Sequence, residues 1–237
     1  MIKNGAEIQR TEQTLENIAK AHGHFTADVF AVPNCLMLTL SSDDGETLSS
    51  INRFYSRRFN LEKVIACHRL SYDYINNEKS LDECISALKE IDALTDFKTH
   101  VRIISYGVIC MAFTILFRGT VTDGLIAFLI GLIQGVLMKE IGKHERLPIF
   151  ITNMIVSAAS AFIAYSAFSL SLTQNYNIIL MGSLMPLVPG FTTTYAVRDL
   201  LYGDYFSGTA KITEALITAI GIAVGIMLTI FVLSHIM

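Results

Sequence analysis

Between Leu147 and Val197 the chain runs for 51 residues without one Asp, Glu, Lys or Arg. A bilayer span needs roughly 20 residues, so this run holds two spans, turning near residues 171–176 (SLTQNY). Two shorter uncharged segments, 103–117 and 124–138, precede it, separated by RGTVTD, and a further apolar segment covers 215–234. Arg118 and Asp123 in the separator can reach a membrane interface with their charged ends. Of 39 charged side chains, 27 lie in residues 1–102 and 12 in residues 103–237. The expectation is a polytopic α-helical membrane protein, five transmembrane helices preceded by a small cytoplasmic α+β domain. Its boundaries are a head over 1–100 and a membrane domain over 101–237, with spans at about 101–118, 122–138, 148–170, 177–197 (broken at 186–190) and 213–235.

Basic residues set the expected orientation. Lys98 and Arg102 precede the first span, Lys139, Lys143 and Arg146 follow the second, and Arg198 and Lys211 follow the fourth, against Arg118 alone on the other side. The positive-inside rule then puts the N-terminus and head in the cytoplasm and the C-terminus outside. The opening MIKNGAEIQRTEQ lacks the apolar core of a leader. An odd span count also means that a similar five-span unit completing this one would sit upside down, as in inverted-repeat transporters.

The fourth span, GSLMPLVPGFTTTYAVRDLLYGDY from residue 182, carries Pro186 and Pro189 near its middle. Each proline lacks an amide donor and disfavours helix at the residue before it, here Met185 and Val188, and Gly190 permits backbone angles closed to other residues. Two half-helices are expected, with the second restarting in FTTTYAVRDLL. Such a break survives only inside protein or beside water. It exposes a helix N-terminus with free amides and a partial charge of about +0.5, suited to a carboxylate. Thr192, Thr193 and Thr194 add hydroxyls there, unless they bond back to a simple kink. Pro186, Pro189, Gly190 and the three threonines are the candidate substrate-binding residues, with Gln134 and Asn153 as mid-span polar groups that either join helices or touch ligand. Gly131xxxGly135 and Gly221xxxGly225 allow close helix approach. No Asp or Glu sits in mid-span.

In the head, residues 4–23 read as a helix with Ile8, Leu15 and Ile18 towards a core, ended by Gly23. Two short strands around Pro33-Asn34 and a third at 46–54 follow, then two amphipathic helices, the second with Ser80 and Glu83 at capping-box spacing. Glu7 and Arg10 share a helix face at i, i+3, and Glu12 extends the polar cluster. His22-Gly-His24 offers a metal too few ligands, and four cysteines without CxxC spacing read as reduced thiols. No metal and no cofactor is expected. No GxSxG, Walker loop or HExxH occurs. A net charge of −3 without a basic run gives no support to nucleic-acid binding.

The run PLVPGFTTTYAVRDLLYGDYFSGTAKITEALITAIGIAVG, with the opening GAEIQRTE, resembles the threonine/serine exporter family over nearly the whole chain. The resemblance implies a cytoplasmic head opening on Gly5, Glu7 and Arg10, and five spans in a bacterial-type inner membrane. It also implies roles for Pro189, Gly190, Arg198, Asp199, Gly203, Asp204 and Ser207, the last five as gate or structural motif. Full members have about ten spans in two related halves. This chain therefore looks like the larger subunit of a split form, with a small membrane protein as partner and either amino acids or succinate as cargo.

The leading expectation is a secondary exporter of small carboxylates or hydroxy amino acids driven by the proton motive force, and not an enzyme. The alternatives are a membrane-anchored enzyme with a hydrolytic head, and a non-transporting scaffold, which would need no broken span.

Overall fold

A computed structural model of the protein describes residues 1–23, 25–54, 60–94, 97–143 and 147–236. His24 and Arg146, used in the metal and orientation readings above, lie outside the described residues. The chain forms two compact units, Met1–Asp96 with Arg198–Ala210, and Phe97–Val197 with Lys211–Met237.

In the first unit, α1 (Ile8–His22) packs on a three-stranded antiparallel sheet of order β1-β2-β3, made of β1 (Phe25–Val32), β2 (Cys35–Ser42) and β3 (Thr47–Arg53). Two residues, Pro33 and Asn34, join β1 to β2, so that Val32 pairs with Cys35 and Phe25 with Ser42. Alternation along β1 turns Ala27, Val29 and Ala31 to the covered face and Thr26, Asp28 and Phe30 outward. Ile8 and Ala31 are buried together with Ile2. Leu15 and Ile18 are half-buried and line an apolar cavity of about 330 Å³ with Leu70, Cys84 and Leu88. Thr11 and Thr14 are buried on α1 without cost to their hydroxyls, which donate to the carbonyls of Glu7 (2.8 Å) and Arg10 (2.7 Å).

Two further helices complete the head, α2 (Leu61–Ile75) and α3 (Leu81–Ala93). The expected capping box starts α3: the Ser80 amide donates to Glu83 Oε2 (2.8 Å) and the Glu83 amide to Ser80 Oγ (3.4 Å). These bonds hold the Glu83 carboxyl below its ordinary pKa.

The second unit is helical: α4 (Thr99–Leu116), α5 (Val121–Gly142), α6 (Ile149–Ser169), α7 (Tyr176–Leu184), and parts of α8 (Gly190–Leu201) and α9 (Tyr205–Ile236). Among the described residues four helices are long and apolar enough to cross a membrane: Thr99–Leu116, Val121–Gly142, Ile149–Ser169 and Tyr205–His235. A bent pair, Tyr176–Leu187 with Gly190–Leu201, makes a fifth if it counts as one span. The observed architecture is therefore mostly helical with four or five candidate spans and a small sheet near the N-terminus.

Small residues let these helices touch through their backbones, the expected device where water supplies no driving force between helices. A Cβ on Gly131 would stand 2.5 Å from the Tyr106 carbonyl oxygen, and one on Gly135 2.9 Å from Ile103 Cα, which fixes α5 against α4. On α9, a Cβ on Gly221 would stand 2.7 Å from the Phe150 carbonyl oxygen of α6. Both glycine pairs singled out in the sequence thus lie at helix–helix contacts. At one end of the bundle the Thr173 hydroxyl donates to Asp123 Oδ1 (2.6 Å), while Oδ2 of Asp123 takes the Thr120 amide (2.9 Å) and hydroxyl (2.8 Å). The α4–α5 and α6–α7 connections are therefore pinned side by side.

Gly131→Leu is expected to separate α4 from α5 and expose Cys110, which is fully buried among the helices. Gly142→Leu, where a Cβ meets nothing within 4 Å, is the control. Maleimide labelling of Cys110, read by peptide mass, should rise only in the first; equal labelling would refute the close contact.

Candidate substrate site and head cavity

The break between α7 and α8 differs in detail from the sequence expectation. Met185, before Pro186, keeps helical angles (φ −56°, ψ −39°) rather than leaving the helix. The reason is local: residues 185–187 form a 3-10 turn with Pro186 in its first positions, where the ring's fixed φ suits the turn. The chain turns instead at Val188, which is extended (φ −63°, ψ 127°) as its proline neighbour requires. Gly190 is a second correction, since its φ is not positive and it is already the first residue of α8. What its missing side chain supplies is room: a Cβ there would meet nothing within 4 Å. The two halves meet at 56°.

The amides of Phe191 and Thr192 fall in the first turn of α8, where no intrahelical carbonyl is in reach. Thr193 and Thr194 are exposed, and their hydroxyls donate back to the carbonyls of Pro189 (2.7 Å) and Gly190 (2.9 Å). Thr192, Pro186 and Pro189 are half-buried. Their arrangement is an open helix start flanked by apolar ring surface, a place where a carboxylate can meet backbone donors.

Gln134 has a definite task. A 3-10 continuation of α7 would satisfy the Ser183 carbonyl with the amide of residue 186, and proline has none. The Gln134 amide group, fully buried, donates there instead (2.7 Å) and also to Ser160 Oγ (2.8 Å). The Cys110 thiol is within reach of both the Gln134 carbonyl (3.7 Å) and the Ser183 carbonyl (3.6 Å). One side chain on α5 thus joins α4, α6 and α7 just before the break. Asn153 is also buried, on α6 one turn before Ser157, whose hydroxyl donates to the Ile222 carbonyl of α9 (3.1 Å). Gln134 and Asn153 are therefore not brought together with the threonines by any hydrogen bond in the described residues.

The RDLLYGD segment explains itself as a corner. Gly203 takes the left-handed conformation (φ +85°) and ends α8: its amide donates to Leu200 O (3.1 Å) and that of Asp204 to Asp199 O (2.9 Å). The Asp204 carboxylate then accepts from the Ser207 amide (3.1 Å) and caps α9. Ser207 itself is buried, with its hydroxyl unpartnered among the described residues.

This corner belongs to the head unit, and there Arg198 makes an ion pair with Glu7. Glu7 is the residue that begins α1, reached through a left-handed turn at Gly5 (φ +89°). Glu12 accepts the Ala31 amide of edge strand β1 (2.8 Å). Glu7, Glu12, Arg198, Asp199 and Asp204 surround a cavity of about 410 Å³, four carboxylates around one guanidinium. Burial raises the Glu12 pKa, the Ala31 amide opposes it, and Asp204 and Glu16 raise it further. Arg10, grouped with Glu7 by sequence spacing, turns away to His68 on α2 (3.0 Å).

Sequence reasoning missed His68, Thr173 and the Ser183 carbonyl. Only the last left a trace, a proline three residues on. Among the described residues no group of three His, Cys, Asp or Glu could hold a metal.

Gln134→Leu should leave the Ser183 carbonyl with only the weak Cys110 thiol donor (3.6 Å) and lower stability by about 1–3 kcal/mol. Pro186→Ala, which restores an amide at the right place, should recover part of the loss. Melting in detergent reads both; no recovery in the double variant would mean that the carbonyl is not what Gln134 serves.

A family model described as "Putative threonine/serine exporter" matches residues 1–233. A protein of Klebsiella aerogenes named "Probable succinate transporter subunit YjjP" is 23% identical over 240 residues, covering 96% of this chain and 88% of its own. Its Escherichia coli K12 namesake is 20% identical over 234 residues, covering 97% and 89%. No solved structure matches the chain.

Proposed function

The chain belongs to the threonine/serine exporter family, and from that premise we propose that it is one subunit of a two-part secondary exporter of small carboxylates. It is a multi-pass membrane transporter and not an enzyme, which sets aside the hydrolytic head. The cargo is serine, threonine or a dicarboxylate of succinate's class. The partner is a smaller membrane protein that supplies the other half, and the drive is the proton motive force. The head and N-terminus face the cytoplasm and the C-terminus faces outward across a bacterial-type inner membrane, with the five segments as spans.

The observation that carries this reading is the bend of 56° between α7 and α8, with open space at Gly190. A helix start in apolar surroundings carries unpaired amides and about half a positive charge, which favours a carboxylate over a neutral solute. The YjjP relatives are named as subunits of a probable succinate transporter, which supports both the partner and the carboxylate. Pro186, Pro189, Gly190 and Thr192 form the substrate contact, and Gln134 and Asn153 hold the helices around it.

Efflux from cells expressing the chain with and without its small partner, following serine, threonine and succinate in the medium, tests the assignment. Export of one of them only when both proteins are present is expected. Gly190→Leu should cut that export about tenfold or more, because its side chain fills the open space at the helix start, while the protein still inserts, since leucine is a good helix former. Normal export by the inserted variant would falsify the site.

The Glu7–Arg198 pair is the inner latch of this exporter. In the same assay Glu7→Arg and Arg198→Glu should each slow export, and the double swap should restore most of it. A double swap no faster than either single variant would remove the latch.

A further inference from the structure

The head contains a second polar cavity, of about 600 Å³, between α1 and α2. Its α1 wall is Arg10, Gln13, Asn17 and Lys20, spaced i, i+3, i+7 and i+10 and so on one face of the helix. Its α2 wall includes His68, Ser71 and Tyr72. Among the described residues no carboxylate lines it. Among the described residues neither Arg10 nor Lys20 makes an ion pair with an acid, although the chain as a whole carries more acids than bases.

His68 sharpens the chemistry. An arginine is always a donor, so the 3.0 Å contact makes His68 Nε2 the acceptor and leaves the proton on Nδ1. That Nδ1 is buried and has no partner among the described residues. Burial, and then Arg10, hold the imidazole below its ordinary pKa. A negative group set against Arg10 would offset both. Tyr72 adds a half-exposed ring, in edge contact with the His68 ring at 4.9 Å between centroids.

We propose that this groove binds an organic anion, its carboxylate or phosphate seated on the Arg10 guanidinium beside His68 and its body laid along Gln13 and Asn17 towards Lys20. At 1.5 Å per residue the two cations stand roughly 15 Å apart along α1. A ligand the size of a mononucleotide reaches from one to the other, whereas a short dicarboxylate engages one end. The groove shares no residue with the break at 185–190, so its occupant is bound apart from any cargo held there.

The test is calorimetric titration of the full chain in detergent with AMP, succinate and inorganic phosphate. It is run at about 0.15 M salt, where diffuse attraction is screened beyond ~8 Å. Saturable binding of AMP or succinate with a Kd of about 1 mM or tighter is expected. Inorganic phosphate competing with AMP identifies a phosphate ligand, and succinate binding alone identifies a carboxylate. Arg10→Gln should weaken binding about tenfold or more through loss of its charge-assisted bonds. Lys20→Gln should weaken AMP more than succinate, and Lys89→Gln, on α3 outside the groove, should change nothing. Melting temperatures confirm that each variant is folded. Absence of saturable binding by all three anions overturns the proposal. Binding untouched by both Arg10→Gln and Lys20→Gln overturns it too, and if that binding is lost in Gly190→Leu, it belongs to the exporter's own substrate site, which then stands.

Discussion

A backbone carbonyl in apolar surroundings must have a donor, and Pro186 takes one away from Ser183. The Gln134 amide replaces it and, in doing so, ties α5 to α7 while holding Ser160 of α6 and Cys110 of α4. Leaving such a carbonyl bare costs several kcal/mol where no water can reach it. The Cys110 thiol of α4 adds a weak second contact to the same carbonyl (3.6 Å), so α4 and α5 serve the break together, and Gly131 and Gly135 set their spacing by lying against the backbone of α4. Helix contact, polar satisfaction and the bend between α7 and α8 form one linked arrangement. Altering any part shifts the position from which α8 restarts.

The corner between α8 and α9 applies the same economy of polar groups at the other end of α8. Its last carbonyls are closed by the amides of Gly203 and Asp204, and the Asp204 carboxylate opens α9. Because the corner satisfies its own backbone, its outward side chains are released for other work. Arg198 takes Glu7, and Asp199 and Asp204 face the same cavity as Glu12. A residue group that reads in sequence as a string of charges is thus part backbone closure and part ion pair. Burial accounts for the raised pKa of Glu12, and the nearby Asp204 carboxylate reinforces it.

The two cavities of α1 show why helix spacing alone misleads. Glu7 and Arg10 stand at i, i+3, a spacing that permits an ion pair worth a few tenths of a kcal/mol. Partners from elsewhere in the chain claim both: Arg198 for Glu7 and His68 for Arg10. Glu12 is drawn to the free edge of β1 through the Ala31 amide. None of these partners lies within 15 residues of its mate in the chain, and no local pattern announces them.

What the sequence by itself determined is what short-range chemistry decides. Charge-free length marked the apolar helices, Pro33-Asn34 the hairpin, Ser80 and Glu83 the cap, and the two prolines a bend between two helices. These follow from hydrophobicity, periodicity and the missing proline amide, properties a residue carries wherever it is placed. Tertiary structure alone decided where the bend falls, at Val188 rather than Met185, because the ring's fixed φ at Pro186 suits the 3-10 turn. It alone decided that Gly190 provides space and not a left-handed turn, since α8 begins there. It also chose Arg198 and His68 as partners, because a buried or half-buried charge pairs with whatever packing brings near, and packing is a property of the whole chain.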